Sequence, residues 1–309
     1  MALPDTPQQQ LEWEARHRPR AALAAGIAAV AIVGGQVLEQ LFISGVPKLP
    51  LLDGLEKLAA PGSVLEQPAG QVAVAHHLED HAVELMASRV VTAIGFFALA
   101  YAVTFLAAAV RARRPQFARW AFYLPIIGAV LFGVAWIAFG AGRLLDAHSL
   151  LDGPGTIADV QDIGETGISR ASEVLLNPAA LVLAVGIVLV SLNGMRTGLL
   201  TRFLGSLGIV AGVLQVIQYG SGLPLVQTFW LGSLAFLYAG MRPGGDPPAW
   251  RTGRAEPWPS AQQAAEQRRA QAEARAADGG TATAPGEPPE PVPAGTHPAT
   301  SKRKRKRRT

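Results

Sequence analysis

The chain has no cysteine, which excludes disulfides, thiol nucleophiles, iron–sulfur ligation and cysteine-bearing zinc sites. It also lacks a Walker A loop, a His-Glu-x-x-His pair and a Gly-x-Ser-x-Gly elbow, so three common routes to phosphate, zinc and acyl chemistry are missing. The pattern Gly153-Pro154-Gly155-x-x-Ala158 mimics a dinucleotide fingerprint but has no strand before it. The long apolar runs do not alternate with period two, so they are not the ten-residue strands of a membrane β-barrel.

Six continuous apolar stretches are present instead, at 21–43, 90–110, 120–142, 179–195, 203–219 and 224–241. Each is about long enough to cross a hydrocarbon core of roughly 30 Å as a helix. Only helices and closed barrels satisfy their own backbone in lipid, so the expected fold is an all-α, polytopic transmembrane bundle of six spans. Lys and Arg alternate across these spans. Of 27 such residues, all but Lys48, Lys57, Arg89, Arg143 and Arg170 fall on one side if the N-terminus is inside. That bias predicts a cytoplasmic segment 1–20, a membrane domain 21–241 with extracytoplasmic loops 44–89 and 143–178, and a cytoplasmic tail 242–309. Arg in excess over Lys, with abundant Ala and Gly, points to a GC-rich bacterial genome and so to a bacterial plasma membrane. The first apolar run exceeds a signal-peptide core and has no clear cleavage site after it, which predicts a retained signal anchor.

Local signals subdivide this plan. Small residues at Gly26, Val30 and Gly34, at Ala31 and Gly35, and at Gly205, Gly208 and Gly212 mark faces where helices approach closely. Leu51, Leu52, Leu55 and Leu58 suggest a short helix on the membrane surface. One continuous helix is expected from Pro68 to Arg113, stopped by Pro115. Thr156 with Asp159 is a capping-box start, and Asn177-Pro178 is expected to break the chain before the fourth span. After residue 241 a Pro/Gly-rich stretch leads into a solvated helix from Ser260 to about Asp278, then a Pro-rich segment expected to be disordered.

Three groups of residues carry candidate chemistry. His77, Asp80, His81 and Glu84 share one helical face, and imidazoles at i and i+4 with carboxylates beside them are a ligand set for a divalent metal. Gln36, Glu39, Gln40, Gln215, Gln218 and Gln227 sit near the outer ends of spans one, five and six. If those helices meet, they line a polar pocket for a small solute; Glu39 pairing with Arg89 or Arg143 is the simpler expectation. Lys302, Arg303, Lys304, Arg305, Lys306, Arg307 and Arg308 form a polybasic end suited to anionic lipid headgroups, or to the phosphates of nucleic acid or the ribosome. No resident cofactor is expected beyond that divalent metal; a haem between His81 and His148 is disfavoured because such ligands normally lie within the bundle.

The stretch Pro247-Pro248-Ala249-Trp250 through Glu256-Pro257-Trp258-Pro259, with Phe229-Trp230-Leu231-Gly232 before it, resembles a segment of actinobacterial six-helix integral membrane proteins carrying a domain of unknown function. The resemblance covers the last third of the membrane region. It implies a six-helix membrane protein and carries over no functional residue. The reading is a non-enzymatic membrane protein with a basic interaction tail. Small-solute or metal-ion transport is the alternative, and an extracytoplasmic metal-dependent enzyme is third.

Overall fold

A computed structural model of the protein describes residues 6–46, 69–217, 224–241, 245–258, 265–266 and 269–274. The chain divides into a unit ending at Trp258 and a second unit, Pro259–Thr309. In the second unit the described residues 265–266 and 269–274 are helical and exposed.

The first unit is built from helices: α1 (Pro7–Ile43), α2 (Gln71–Asp80), α3 (Ala82–Arg113), α4 (Arg119–Asp152), α5 (Ile157–Thr166), α6 (Ile168–Arg196), α7 (Arg202–Ile217), α8 (Leu225–Tyr238) and the short α9 (Pro248–Thr252). α1, α3, α4 and the α5–α6 stretch Ile157–Arg196 are long and apolar enough to cross a membrane. They contain the first four expected spans. α7 and α8, at 16 and 14 residues, are shorter apolar helices at the fifth and sixth.

Local chemistry sets the boundaries. Thr6 accepts from the Gln9 backbone and Gln9 returns the bond, a capping box that starts α1 seven residues into the chain and well before its apolar stretch. Thr156 and Asp159 make the same box at α5, as the spacing predicts. α3 ends with Arg111 and Arg113 in its last turn, where cations complement the helix dipole. Two expectations need correction. The helix predicted from Pro68 to Arg113 is interrupted at His81, which has φ −116° and ψ 23° and separates α2 from α3. The break predicted at Asn177-Pro178 lies instead at Gly167, and α6 runs through Pro178. There the Asp146 carboxylate of α4 accepts from the backbone N–H groups of Ile168 and Ser169, both at 3.1 Å, and so caps α6 from a neighbouring helix. Pro178 removes only one intrahelical bond, which a buried helix tolerates.

The principal packing partners are α4 with α6, α1 with α3, α3 with α4, α6 with α7 and α1 with α8. Glycines let these backbones meet. A Cβ on Gly186 of α6 would lie 2.5 Å from the Pro125 backbone nitrogen of α4, and one on Gly128 would strike the Leu183 backbone in return. Gly35 of α1 faces Ser88 and Thr92 of α3, while Gly95 of α3 faces Ile32. Gly205, Gly208 and Gly212 of α7 all meet α6 or α8, as their spacing predicts. The parallel stripe Gly26–Gly34 does not: a Cβ at either end has nothing within 4 Å. Large apolar side chains such as Leu23, Val30, Leu181 and Phe236 point outward at more than half exposure. A second small core of Ala75, Leu78, Leu85, Ala147 and Leu150 lies where α2 packs on the end of α4.

Replacing Gly128 by Val should destabilise the bundle by roughly 1–3 kcal/mol, because the clash is with backbone and no rotamer relieves it. Gly34→Ala, facing open space, should be neutral or gain up to about 1 kcal/mol from helix propensity. Unfolding of both variants in detergent micelles checks the contrast; equal effects would contradict the packing described.

Candidate functional site

Charged side chains collect at the two ends of the bundle, and at each end one buried ion pair joins α1 to α3. At the end holding the α1 N-terminus, Arg113 and Glu14 form a two-pronged pair, with side-chain exposures of 0% and 3%. Arg113 Nη2 donates to Glu14 Oε2 at 2.9 Å and to the Ala249 carbonyl at 2.7 Å, and Nη1 donates to the Ala109 carbonyl at 3.1 Å. Gln10, one turn earlier on α1, donates to Glu14 at 2.7 Å. The carboxylate is thereby held in place and the buried guanidinium neutralised, which is what burial of either requires.

Residues 245–258 complete this end as a strap. Asp246 accepts two bonds from Arg18, at 2.7 and 2.8 Å, and Arg18 also donates to the Leu237 carbonyl at the end of α8. Trp250 stacks on Phe105, which stacks on Trp13 in turn, and the guanidiniums of Arg18 and Arg113 lie 5.0 and 5.6 Å from the Trp250 ring. The indole N–H groups of Trp250 and Trp258 donate to the Leu199 and Leu200 carbonyls, at 2.9 and 2.8 Å, in the α6–α7 turn. The Glu256 backbone N–H donates to Thr197. Gly198 in that turn has φ +75°, and a Cβ there would strike the Glu256 carbonyl, so only glycine suits the position. Arg114 reaches Asn193 of α6 at 3.0 Å. The tail expected from residue 242 therefore includes a segment, 245–258, packed on the helices.

At the opposite end Glu39 of α1 pairs with Arg89 of α3. Arg89 lies over Trp136 of α4 at 4.2 Å and Phe139 at 5.4 Å, so the cation meets a carboxylate on one side and aromatic faces on the other. Gln36 and Gln215 are half-buried and Gln40 is exposed. Gln227 of α8 is 5% exposed and its Oε1 has no hydrogen-bond partner. Gln218 and Lys302–Arg308 lie outside the described residues.

The histidine face is only partly assembled. The His77 and His81 rings are 4.4 Å apart. His77 Nε2 bonds to the Phe42 carbonyl at 2.9 Å and His81 Nδ1 to the His77 carbonyl at 3.1 Å, so each ring spends one N–H on backbone. Asp80 and Glu84 are exposed, and among the described residues no three His, Asp or Glu side chains group closely enough to hold a metal. The interruption at His81 accounts for this, since a continuous helix is what aligns the four. A nearby contact was not foreseen: His148 of α4 bonds to Glu79 of α2 at 2.8 Å. That bond, then the charge of Asp152, raises the His148 pKa above its ordinary 6.5.

Sequence reasoning missed the strap and the Glu14–Arg113 pair. Their traces are present as Gln10, Glu14 and Arg18, spaced by four before the first apolar stretch, and as Trp250 and Trp258 in a Pro-rich region. No family model matches the chain, and neither does any curated protein or solved structure.

Glu14→Gln should destabilise the protein by about 3 kcal/mol, because it leaves Arg113 buried with its charge uncompensated. Glu14→Leu combined with Arg113→Met should recover most of that loss. Chemical denaturation in micelles measures both, and a Glu14→Gln variant as stable as the parent would contradict the role assigned to the pair.

Proposed function

We propose that the chain is a six-span integral membrane protein of the bacterial plasma membrane. Both termini lie in the cytoplasm, and the protein acts without catalysis to present a polybasic tail to anionic lipid. The observation that carries this reading is the sorting of charge between the two ends of the bundle. One end gathers Arg18, Arg113 and Arg114 with the strap. The other carries Glu79, Asp80, Asp146, Asp152, Asp159 and Asp162 on or beside α2, α4 and α5. Excess Lys and Arg belongs on the cytoplasmic side. α8 spans about 21 Å at 1.5 Å per residue, so as the sixth span it requires local thinning of the bilayer. Membership of the actinobacterial six-helix family belongs to the same proposal and rests on the Trp250 and Trp258 motif.

The charged groups of both ends are consistent with a structural role. Glu14, Glu39 and Asp246 are each engaged by an arginine, which suits holding helices together better than moving protons. A second reading, small-solute transport, is favoured by one observation: the buried, unpartnered Gln227 Oε1 on a helix that packs against both α1 and α7.

Each tail cation near an anionic surface contributes about 1 kcal/mol, so seven in succession give firm but salt-sensitive attachment. Nanodiscs of phosphatidylcholine holding the full chain should capture phosphatidylglycerol vesicles at low salt and ignore phosphatidylcholine vesicles. Capture should be lost at about 1 M salt, where the Debye length is about 3 Å. Replacing Lys302–Arg308 by serine should abolish it. Capture that survives the replacement, or persists in high salt, rejects the tail as the lipid-binding element.

A further inference from the structure

A groove of about 450 Å³ separates α1 from α8 at the strap end of the bundle. It is open because its walls carry small groups: Ala15 and Ala22 on α1, Ala239 and Gly240 just past α8. It straddles residue 21, where the apolar stretch of α1 begins. In the membrane reading proposed above, on which this inference rests, that is the level of the cytoplasmic headgroups.

The walls offer a specific mixture of polar groups. Pro19 lies inside α1 and lines the groove. A proline has no N–H, so the carbonyl of Ala15, four residues earlier, loses its helical donor. Ala15 and Pro19 are both exposed. The opposite wall is the C-terminal turn of α8, the negative end of a helix dipole. Arg18 also lines the groove, but Asp246 already balances its charge through two bonds. Its side chain keeps 18% exposure, and Nη1 carries a second N–H besides the one given to Asp246. The Ala235, Phe236 and Leu237 carbonyls that end α8 already accept from backbone N–H groups or Arg18, so the groove combines a neutralised guanidinium with one carbonyl, that of Ala15, that has lost its helical donor. Net positive charge is not its distinguishing feature, so a simple anion is not the best match.

We propose that this groove binds a phospholipid whose headgroup carries a primary ammonium, with the phosphate at Arg18 and an ammonium N–H donated to the Ala15 carbonyl, beside the negative end of the α8 dipole. At about 450 Å³ the groove has room for such a headgroup. Phosphatidylethanolamine meets the requirement. Phosphatidylcholine has the same phosphate but no N–H to donate.

Native mass spectrometry of the full chain, offered equimolar phosphatidylethanolamine, phosphatidylcholine and phosphatidylglycerol with identical acyl chains, tests the assignment. The unsubstituted protein should retain phosphatidylethanolamine about fivefold better, the scale expected of hydrogen bonds of this kind. Pro19→Ala returns a backbone N–H to the Ala15 carbonyl. It should bring the ratio toward one while leaving thermal stability equal or higher, so misfolding cannot account for the loss. Equal retention of the two lipids by the unsubstituted protein, an unchanged ratio in Pro19→Ala, or retention of phosphatidylglycerol above phosphatidylethanolamine would each overturn the proposal. Alkaline carbonate extraction separates this outcome from the broader one. A chain released from membranes rejects the membrane reading itself, whereas a chain that stays in the membrane without a lipid preference rejects only the groove.

Discussion

Two buried ion pairs pin α1 against α3, and their spacing along the helices frames the rest of the structure. Glu14 and Glu39 are 25 residues apart on α1, and their partners Arg113 and Arg89 are 24 apart on α3. At 1.5 Å per residue both separations are roughly 36–38 Å, slightly more than the roughly 30 Å of a hydrocarbon core. Between the pairs the two helices meet through Gly35, Gly95 and aliphatic side chains, with Thr92 bonding back to its own helix. The charges stand where a bilayer would end, and no charged residue lies on α1 between Arg20 and Glu39.

Each pair also recruits a further element. Arg113 reaches past Glu14 to the Ala249 carbonyl and shares Trp250 with Arg18, so the strap, α1, α3 and α8 converge on one aromatic stack. Arg89 reaches past Glu39 to Trp136, which brings in α4. α4 then carries α6, through close glycine contacts and the Asp146 cap, and α6 carries α7. At the two ion pairs one requirement recruits the neighbours: a buried cation must be surrounded by acceptors or aromatic faces, and these come from whichever helices can reach it.

The long helices were legible in the sequence because hydropathy is local. α1, α3, α4 and α6 contain the expected apolar stretches, Pro115 follows the end of α3, and the Thr156–Asp159 box starts α5. The small-residue face of α7 was legible for the same reason, whereas of two similar stripes on α1 only the one through Gly35 meets a neighbour. What was not legible depends on distant partners. Nothing around His81 carries a glycine or proline signal, yet the helix is interrupted there. Pro178 looked like a break, but the cap that decides the boundary is a carboxylate 22 residues earlier on another helix. The strap has no hydropathy signal at all; its two tryptophans were its visible trace, and their acceptors are backbone carbonyls that any residue could supply.

We propose that lipid lies between the two ion pairs, with the strap on the cytoplasmic side. The absence of cysteine allows a direct test by single-cysteine labelling with a membrane-impermeant maleimide. Cysteine at Glu84 or Asp162 should be labelled in intact cells. Cysteine at Arg16 or Arg254 should react only after the membrane is opened, and cysteine at Val30 should be protected from the reagent in both conditions. Labelling of position 254 in intact cells, or of position 30 from water, would contradict the account.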